Sequence, residues 1–457
     1  MQNDPNSAPR LPGGPQRVLG SWSAVAVVVG MVVGAGIFRT SPLVAQSLGG
    51  DAELLLAWAL GGAFALVGAL CYAALSAAFP AAGGDYRFLR EAFGRDLAYL
   101  FAWSRFSVIF SASAALLAFV GADYLAQLVP LGGFGRAAVA GGAVILLTVL
   151  NLRGVRTGAR AQVALVTLDV IALLGLGAAA LLLVAFAVPP QQPGMGATGP
   201  GGFGQAMVFI MLAYGGFNDA STLSAEVRHP RDMTRALVGG MAAVTALYLL
   251  ANWAYLRGLG FAGLAASDAP AAGLMRLAFG QPGETLIVLG VAIATFSVLN
   301  ALIIVGGRTL YAAAEDEPAL ARLAEWDQGR GVPRAAILAQ TAFALLLICW
   351  GATTGRGFAT MVDYLSPVYW LFLTLSGLAV VVLRQRQPAV SRPYKVPLYP
   401  LLPLIFAGGS AYVLYSSVRY VGWSGCLISF GVLGLGLIVR LLLRRTFGKR
   451  VQAETTA

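Results

Sequence analysis

The sequence predicts an all-α membrane protein of twelve transmembrane helices, and three observations carry that prediction. Of the 457 residues, 58% are hydrophobic and 11% charged. Soluble domains carry about 45–50% and about 25%, so this apolar surplus has no water-soluble core large enough to hide in. The apolar residues also fall into long runs, each near the roughly 20 residues that cross a bilayer core. Finally, the basic residues behind the net charge of +11 lie in short clusters between those runs. They are topology signals, not a continuous nucleic-acid footprint.

Residues 1–17 (MQNDPNSAPRLPGGPQR) are polar and rich in Pro and Gly, and read as a disordered tail. The apolar run that follows continues for about 30 residues, longer than the core of a cleavable signal peptide, and is the first membrane helix. Helices are expected at about 18–47, 53–79, 96–130, 136–152, 160–188, 204–226, 235–260, 284–313, 334–353, 358–384, 398–419 and 424–443. An even count places both termini on one side. Arg87, Arg90 and Arg95, then Arg153, Arg156 and Arg160, then Arg384, Arg386, Arg392 and Lys395 fall on that same side, so the positive-inside rule makes it cytoplasmic. The expectation is a multi-pass protein of the cell (inner) membrane with both termini inside. Its basic tail, 444–457, carries Arg444, Arg445, Lys449 and Arg450 toward anionic headgroups.

Several function classes fall away. The lysines are Lys395 and Lys449, and neither follows a glycine-rich phosphate loop. The single histidine, His229, excludes a two-histidine zinc motif, and no G-x-S-x-G elbow occurs. Cys71, Cys349 and Cys426 lie far apart in apolar stretches and suggest neither a disulfide nor a metal site. Gly258-Leu-Gly260-Phe-Ala-Gly263 matches a dinucleotide fingerprint by letter, but it ends a membrane helix with no strand before it. No enzyme, cofactor or metal is expected.

Two helices contain their own breaks. Gly34-Ala35-Gly36 interrupts the first, and Tyr214-Gly215-Gly216-Phe217-Asn218-Asp219 interrupts the sixth at the matching place five helices later. Backbone at mid-membrane depth stays unwound only where protein or a water-filled cavity satisfies it. Broken helices at corresponding positions of two halves point to a transporter built from inverted repeats. Freed amides at a half-helix N-terminus favour a carboxylate and freed carbonyls an ammonium, and a free amino acid carries both. The structural alternative is that such glycines only let helices pack closely, as Gly30-x-x-x-Gly34 would.

The runs GMVVGAGIFRTSP, GALCYAALSAAFPAAGGDYRFLREAFG, AYGGFNDASTLSAEVRHPRD and RPYKVPLYPLLP resemble the amino acid, polyamine and organocation permease superfamily over about residues 18–443. Within it the chain is most similar to L-type amino-acid transporter-like bacterial permeases. The resemblance implies a five-plus-five inverted repeat, with 18–188 and 204–384 as the two repeats, helices one and six broken at mid-membrane, and 398–443 as two extra helices. It implies that amides around Gly34, Ala35 and Gly36 hold the substrate carboxylate and that carbonyls near Val32, Leu212 and Gly215 hold its amine. Helices one, two, six and seven would rock against three, four, eight and nine.

Three positions depart from the family pattern. Leu212 stands where relatives place an aromatic gate, and Ala74 where many carry an acid. Asp169 stands where many carry a helix-five lysine. Nine residues beyond Arg160, at 1.5 Å each, it lies about 13 Å deep. An aspartate there costs about 2.5–3.5 kcal/mol, so it is either a proton- or cation-coupling group or a structural anchor for its helix. Asp219 either meets a cationic substrate or suits the dipole of its own half-helix. Asn218 is an N-cap candidate, and Phe217 lines the pocket or packs between helices. Arg39 reaches water or an acid such as Asp363, and Arg105 is held by carbonyls or an acid. Glu226, Arg228 and Arg231 suggest a cytoplasmic closing network. Ser41, Ser111 and Ser113 are pocket hydroxyls or bond their own helix.

The expected function is secondary transport of small, neutral amino acids by alternating access, with a proton or sodium ion as possible partner. The chain is expected to work as a monomer without an accessory subunit. A carrier of polyamines or cationic amino acids and a nontransporting sensor are the alternatives.

Overall fold

The computed structural model describes residues 21–34, 36–79, 84–153, 159–191, 202–221, 227, 230–315, 318–327 and 330–455. Among the described residues the regular structure is helical. The first crossing is split into α1 (Ser21–Val32) and α2 (Gly36–Ser47), bent by 46° at the Gly34 break. α3 (Asp51–Ala78) is the second, and a short α4 (Gly84–Phe93) leads into the third, which runs through α5 (Arg95–Ser104), a π-helical turn Arg105–Phe110 and α6 (Ser111–Leu125). α7 (Gly133–Leu152) and α8 (Ala159–Ala185) come next. They are followed by α9 (Gly202–Ala213) and α10 (Phe217–Ala220), separated by the turn 214–216. Then follow α11 (Pro230–Ala266), α12 (Pro270–Glu315), α13 (Arg334–Thr354), α14 (Gly357–Arg386) and α15 (Leu401–Thr455).

Nine helices among the described residues are long and apolar enough to cross a membrane, and the bent pair α1–α2 makes ten. The apolar stretch Leu401–Leu442 has 42 residues, about 63 Å if straight and twice a bilayer core. It breaks at Gly422, whose φ of 73° is left-handed backbone that favours glycine, and so supplies two crossings. The broken α9–α10 is a further interrupted helix, with twelve residues before its break and four described after it. The sequence-based expectation of helices at 398–419 and 424–443 straddles that same glycine.

Two stretches differ from the expectation. Residues 84–93, read as loop, form α4, because Phe88, Leu89 and Ala92 share a buried stripe opposite charged neighbours. The loop expected before 284 contains a further helical stretch from Pro270, ended by a break at Gly280 (φ 68°). It is amphipathic rather than continuously apolar, with Ala271, Ala272 and Leu274 buried.

The helices sort into two packed groups. α1, α2, α3, α9 and α11 pack among themselves, and so do α6, α7, α12 and α13, while α8 lies against both α11 and α12. α14 packs chiefly on α15 and also touches α6 and α4. The broken helices cross each other half to half: α2 packs on α9 and α1 on α10.

Candidate functional site

The site is built where the two breaks meet. Gly216 has a φ of 104°, and a Cβ there would lie 2.3 Å from the carbonyl oxygen of Met31. The residue is therefore confined to glycine twice over, by backbone conformation and by contact. On the other half of the crossing, a Cβ on Gly36 already stands against Ala213, 3.1 Å from its Cα. Gly34, by contrast, has no heavy atom of the described residues within 4 Å of where its Cβ would point, beyond its chain neighbours, so among them space opens beside the first break.

Unwound carbonyls in an apolar interior need donors. The hydroxyl of Tyr248, on α11, lies 3.0 Å from the carbonyl oxygens of both Val32 and Ala213 and donates between them. One buried side chain thus ties the end of α1 to the end of α9. The Tyr214 hydroxyl donates to the Trp58 carbonyl at 3.1 Å, and the rings of Trp58, Tyr214 and Tyr248 meet in tilted and edge-to-face contacts. Within the second break, the Gly215 N–H donates to the Leu212 carbonyl at 3.2 Å.

Below the second break a polar chain leads away from it. The Tyr369 hydroxyl, on α14, approaches Gly215 and donates to Asn218 Oδ1 at 3.1 Å. Asn218 Nδ2 is shared between Asp219 Oδ1 at 3.3 Å and Asp85 Oδ2 at 3.4 Å. Asp85 Oδ1 accepts from Ser376 Oγ at 3.0 Å. Asp219 Oδ1 accepts from Arg105 Nη1 at 2.5 Å. The Arg105 guanidinium sits at the start of the π-helical turn and over the Phe110 ring, 4.1 Å from its centroid. Such single π turns recur at functional sites. Asp85 stands in α4, outside the membrane spans, and burial pushes its carboxyl up to about 6 despite the opposing pull of Arg105.

At the far end of the bundle a second ionic network joins the groups. Arg39 Nη2 meets Asp268 at 3.0 Å and Arg39 Nε meets Asp123 at 3.6 Å, while Arg136 Nη1 donates to the other Asp123 oxygen at 3.2 Å. The sequence reading gives Arg39 water or an acid such as Asp363. Acids do hold it, but they are Asp123 on α6 and Asp268 in the 267–269 connection.

The sequence-derived residues thus divide. Val32, Gly34, Gly36, Leu212 and Gly215 gather at the crossing, with Asn218 and Asp219 directly below. Ala35 lies outside the described residues, as do Glu226 and Arg228. Phe217 is fully buried among Tyr72 and Phe406 and packs between helices. Asp169 is 4% exposed on α8, within electrostatic reach of Tyr248, and among the described residues no ion pair reaches it. Ser41 and Ser111 bond carbonyls of their own helices. Sequence reasoning missed Tyr248, Tyr369 and Asp85. Only the amphipathic pattern of α4 hinted at the last.

Comparison with known proteins gives this geometry a context. The family model described as amino acid permease matches residues 19–434. The b(0,+)-type amino acid transporter 1 of Mus musculus is 28% identical over 415 residues, covering 88% of this chain and 83% of that protein. The serine/threonine exchanger SteT of Bacillus subtilis (strain 168) is 28% identical over 436 residues, 92% of this chain and 96% of its own. The large neutral amino acids transporter small subunit 2 of Mus musculus is 27% identical over 450 residues, 93% and 79% respectively.

Proposed function

The chain belongs to the amino acid permease family, a family of multi-pass transporters and not of enzymes, and from that premise we propose that it moves small, neutral amino acids by alternating access. The observation that carries the proposal is the crossing of the two broken helices, keyed by Gly216 on the Met31 carbonyl and tied by Tyr248. First-turn amides of α2 have no intrahelical partner. With the open backbone at Gly34 they form the cradle for a substrate carboxylate. The Val32 carbonyl and the turn at Leu212 and Gly215 face the amine. The group α1, α2, α3, α9 and α11 rocks against α6, α7, α12 and α13. The α4 end is cytoplasmic, the Asp268 end external, and the membrane is the inner one.

Asp169 is the coupling group in this reading. It is buried on the helix that touches both packed groups, and among the described residues no ion pair neutralises it. A proton or a sodium ion then fills that role. The protein works as a single chain. Full-length relatives include an exchanger, SteT, so exchange and gradient-driven uptake are both to be measured.

The test is uptake of radiolabelled amino acids and polyamines into proteoliposomes, with and without an inward proton or sodium gradient, for wild type and Asp169→Asn. Neutral amino acids should enter, a gradient should accelerate them, and the variant should lose the acceleration while retaining exchange. Flux indifferent to both gradients, with a variant that only loses folded yield, makes Asp169 an anchor and sinks the coupling assignment.

A further inference from the structure

The pairing of Arg105 with Asp219 bears on which substrates the site admits, and the inference rests on the functional reading above. Asp219 is the carboxylate that a cationic substrate would seek. It lies three residues past Gly216, and Asn218 connects it to the second break, accepting from the Gly216 N–H at 3.3 Å and donating to Asp219 Oδ1 at 3.3 Å. Its side chain keeps 28% exposure where Asn218 keeps 2% and the Arg105 side chain 9%, so the carboxylate is the less enclosed member of the pair.

Arg105 is held firmly. It comes from α5–α6, the group opposite to α9–α10, and lies between the Phe101 and Phe110 rings with centroids at 5.4 and 4.1 Å. The Asp219 charge is therefore met by the chain itself before any solute arrives. A substrate ammonium or guanidinium side chain would have to displace a buried guanidinium, and a substrate carboxylate side chain would have to displace Asp219. Either exchange leaves a buried charge unpaired. A neutral side chain disturbs nothing.

We propose that the Arg105–Asp219 pair is a two-signed charge filter that restricts the site to amino acids with uncharged side chains. Arg105 and Asp219 are then specificity-determining residues. Each silences the other, and removing one hands the site to substrates of the opposite sign.

The experiment measures uptake of leucine, serine, lysine and glutamate by the full-length protein in proteoliposomes. Wild type should carry the neutral pair, and neither lysine nor glutamate should compete. Arg105→Gln should raise lysine uptake relative to leucine by about tenfold or more, and Asp219→Asn should do the same for glutamate. The double variant, which removes both members of the pair and leaves Asp85 held by Ser376 and Asn218, should fold and return to neutral substrates alone. Lysine uptake by wild type comparable with leucine overturns the filter, as does an Arg105→Gln protein that carries leucine and still excludes lysine. If the single variants do not fold, the double variant decides: lysine entry without Asp219 present refutes the assignment. A wild type that carries no amino acid of any charge refutes instead the functional reading on which the filter stands.

Discussion

Replacing Asp85 by asparagine should remove a pH dependence from the opening of the α4 end. Asp85 is buried against four elements, and the groups facing it are Tyr72 on α3, Arg105 on the π turn, Asp219 on α10, and Ser376 with Tyr369 on α14. Its carboxyl is pushed up to about 6 from 3.8, chiefly by loss of water. In an open form that wets α4, it returns toward 3.8. The closed form then binds a proton that the open form lacks across that interval, so closure strengthens as pH falls through about 6 and weakens as pH rises through it. Above 6 the carboxylate is ionised in both forms and the cost to the closed form is complete. A gap of about two pK units at 1.36 kcal/mol each is about 3 kcal/mol, or up to about a hundredfold in the closed-to-open ratio. Exchange in liposomes, with pH stepped from about 5 to about 8 on the α4 side only, reads about tenfold of this, the part of the interval that lies between about 5 and about 6. Wild type should accelerate with a midpoint near 6. Asp85→Asn, neutral throughout, should stay slow and flat. The same midpoint in the variant, or a wild-type rate that falls as pH rises through 6, would refute the reasoning.

Two further outcomes follow from the crossing itself. Gly216→Ala places a methyl group on the Met31 carbonyl in a left-handed conformation, and should cost roughly 3 kcal/mol. Thermal denaturation of the purified variant checks it, and a melt coincident with wild type would show that the helices do not touch there. Tyr248→Phe strips the shared donor from the Val32 and Ala213 carbonyls, a loss of about 1–3 kcal/mol. Hydrogen exchange at residues 31–34 and 213–216 should rise and uptake should fall, with leucine uptake equal to wild type counting against the tie.

What the sequence disclosed and what it withheld differ in range. The breaks at Gly34 and Gly215-Gly216 were legible because glycine pairs in an apolar run have a local meaning, and so was the division at Gly422. α4 was not, since its ten residues carry no apolar run and form a helix only with one face covered. Partners were hidden for a different reason. Arg105 meets an acid 114 residues away and Asp85 a serine 291 residues away. For Arg39, several acids were available at its end of the bundle, and only packing chose Asp123 and Asp268 over Asp363. Tyr248 looked like one aromatic among many until the carbonyls of two distant turns converged on its oxygen.

The two ionic networks that join the packed groups differ in how the surrounding electrolyte acts on them. Asp268 is 59% exposed at the tip of its network, whereas the Arg105 side chain is 9% exposed in the other. Dissolved ions screen exposed charges over about 8 Å at physiological strength and about 3 Å at 1 M, and reach buried pairs far less. Salt therefore weakens the Arg39–Asp268 contact more than the enclosed Arg39–Asp123 and Arg105–Asp219 contacts. Of the links that join the two packed groups, the one through the 267–269 connection is the one the surrounding electrolyte loosens first.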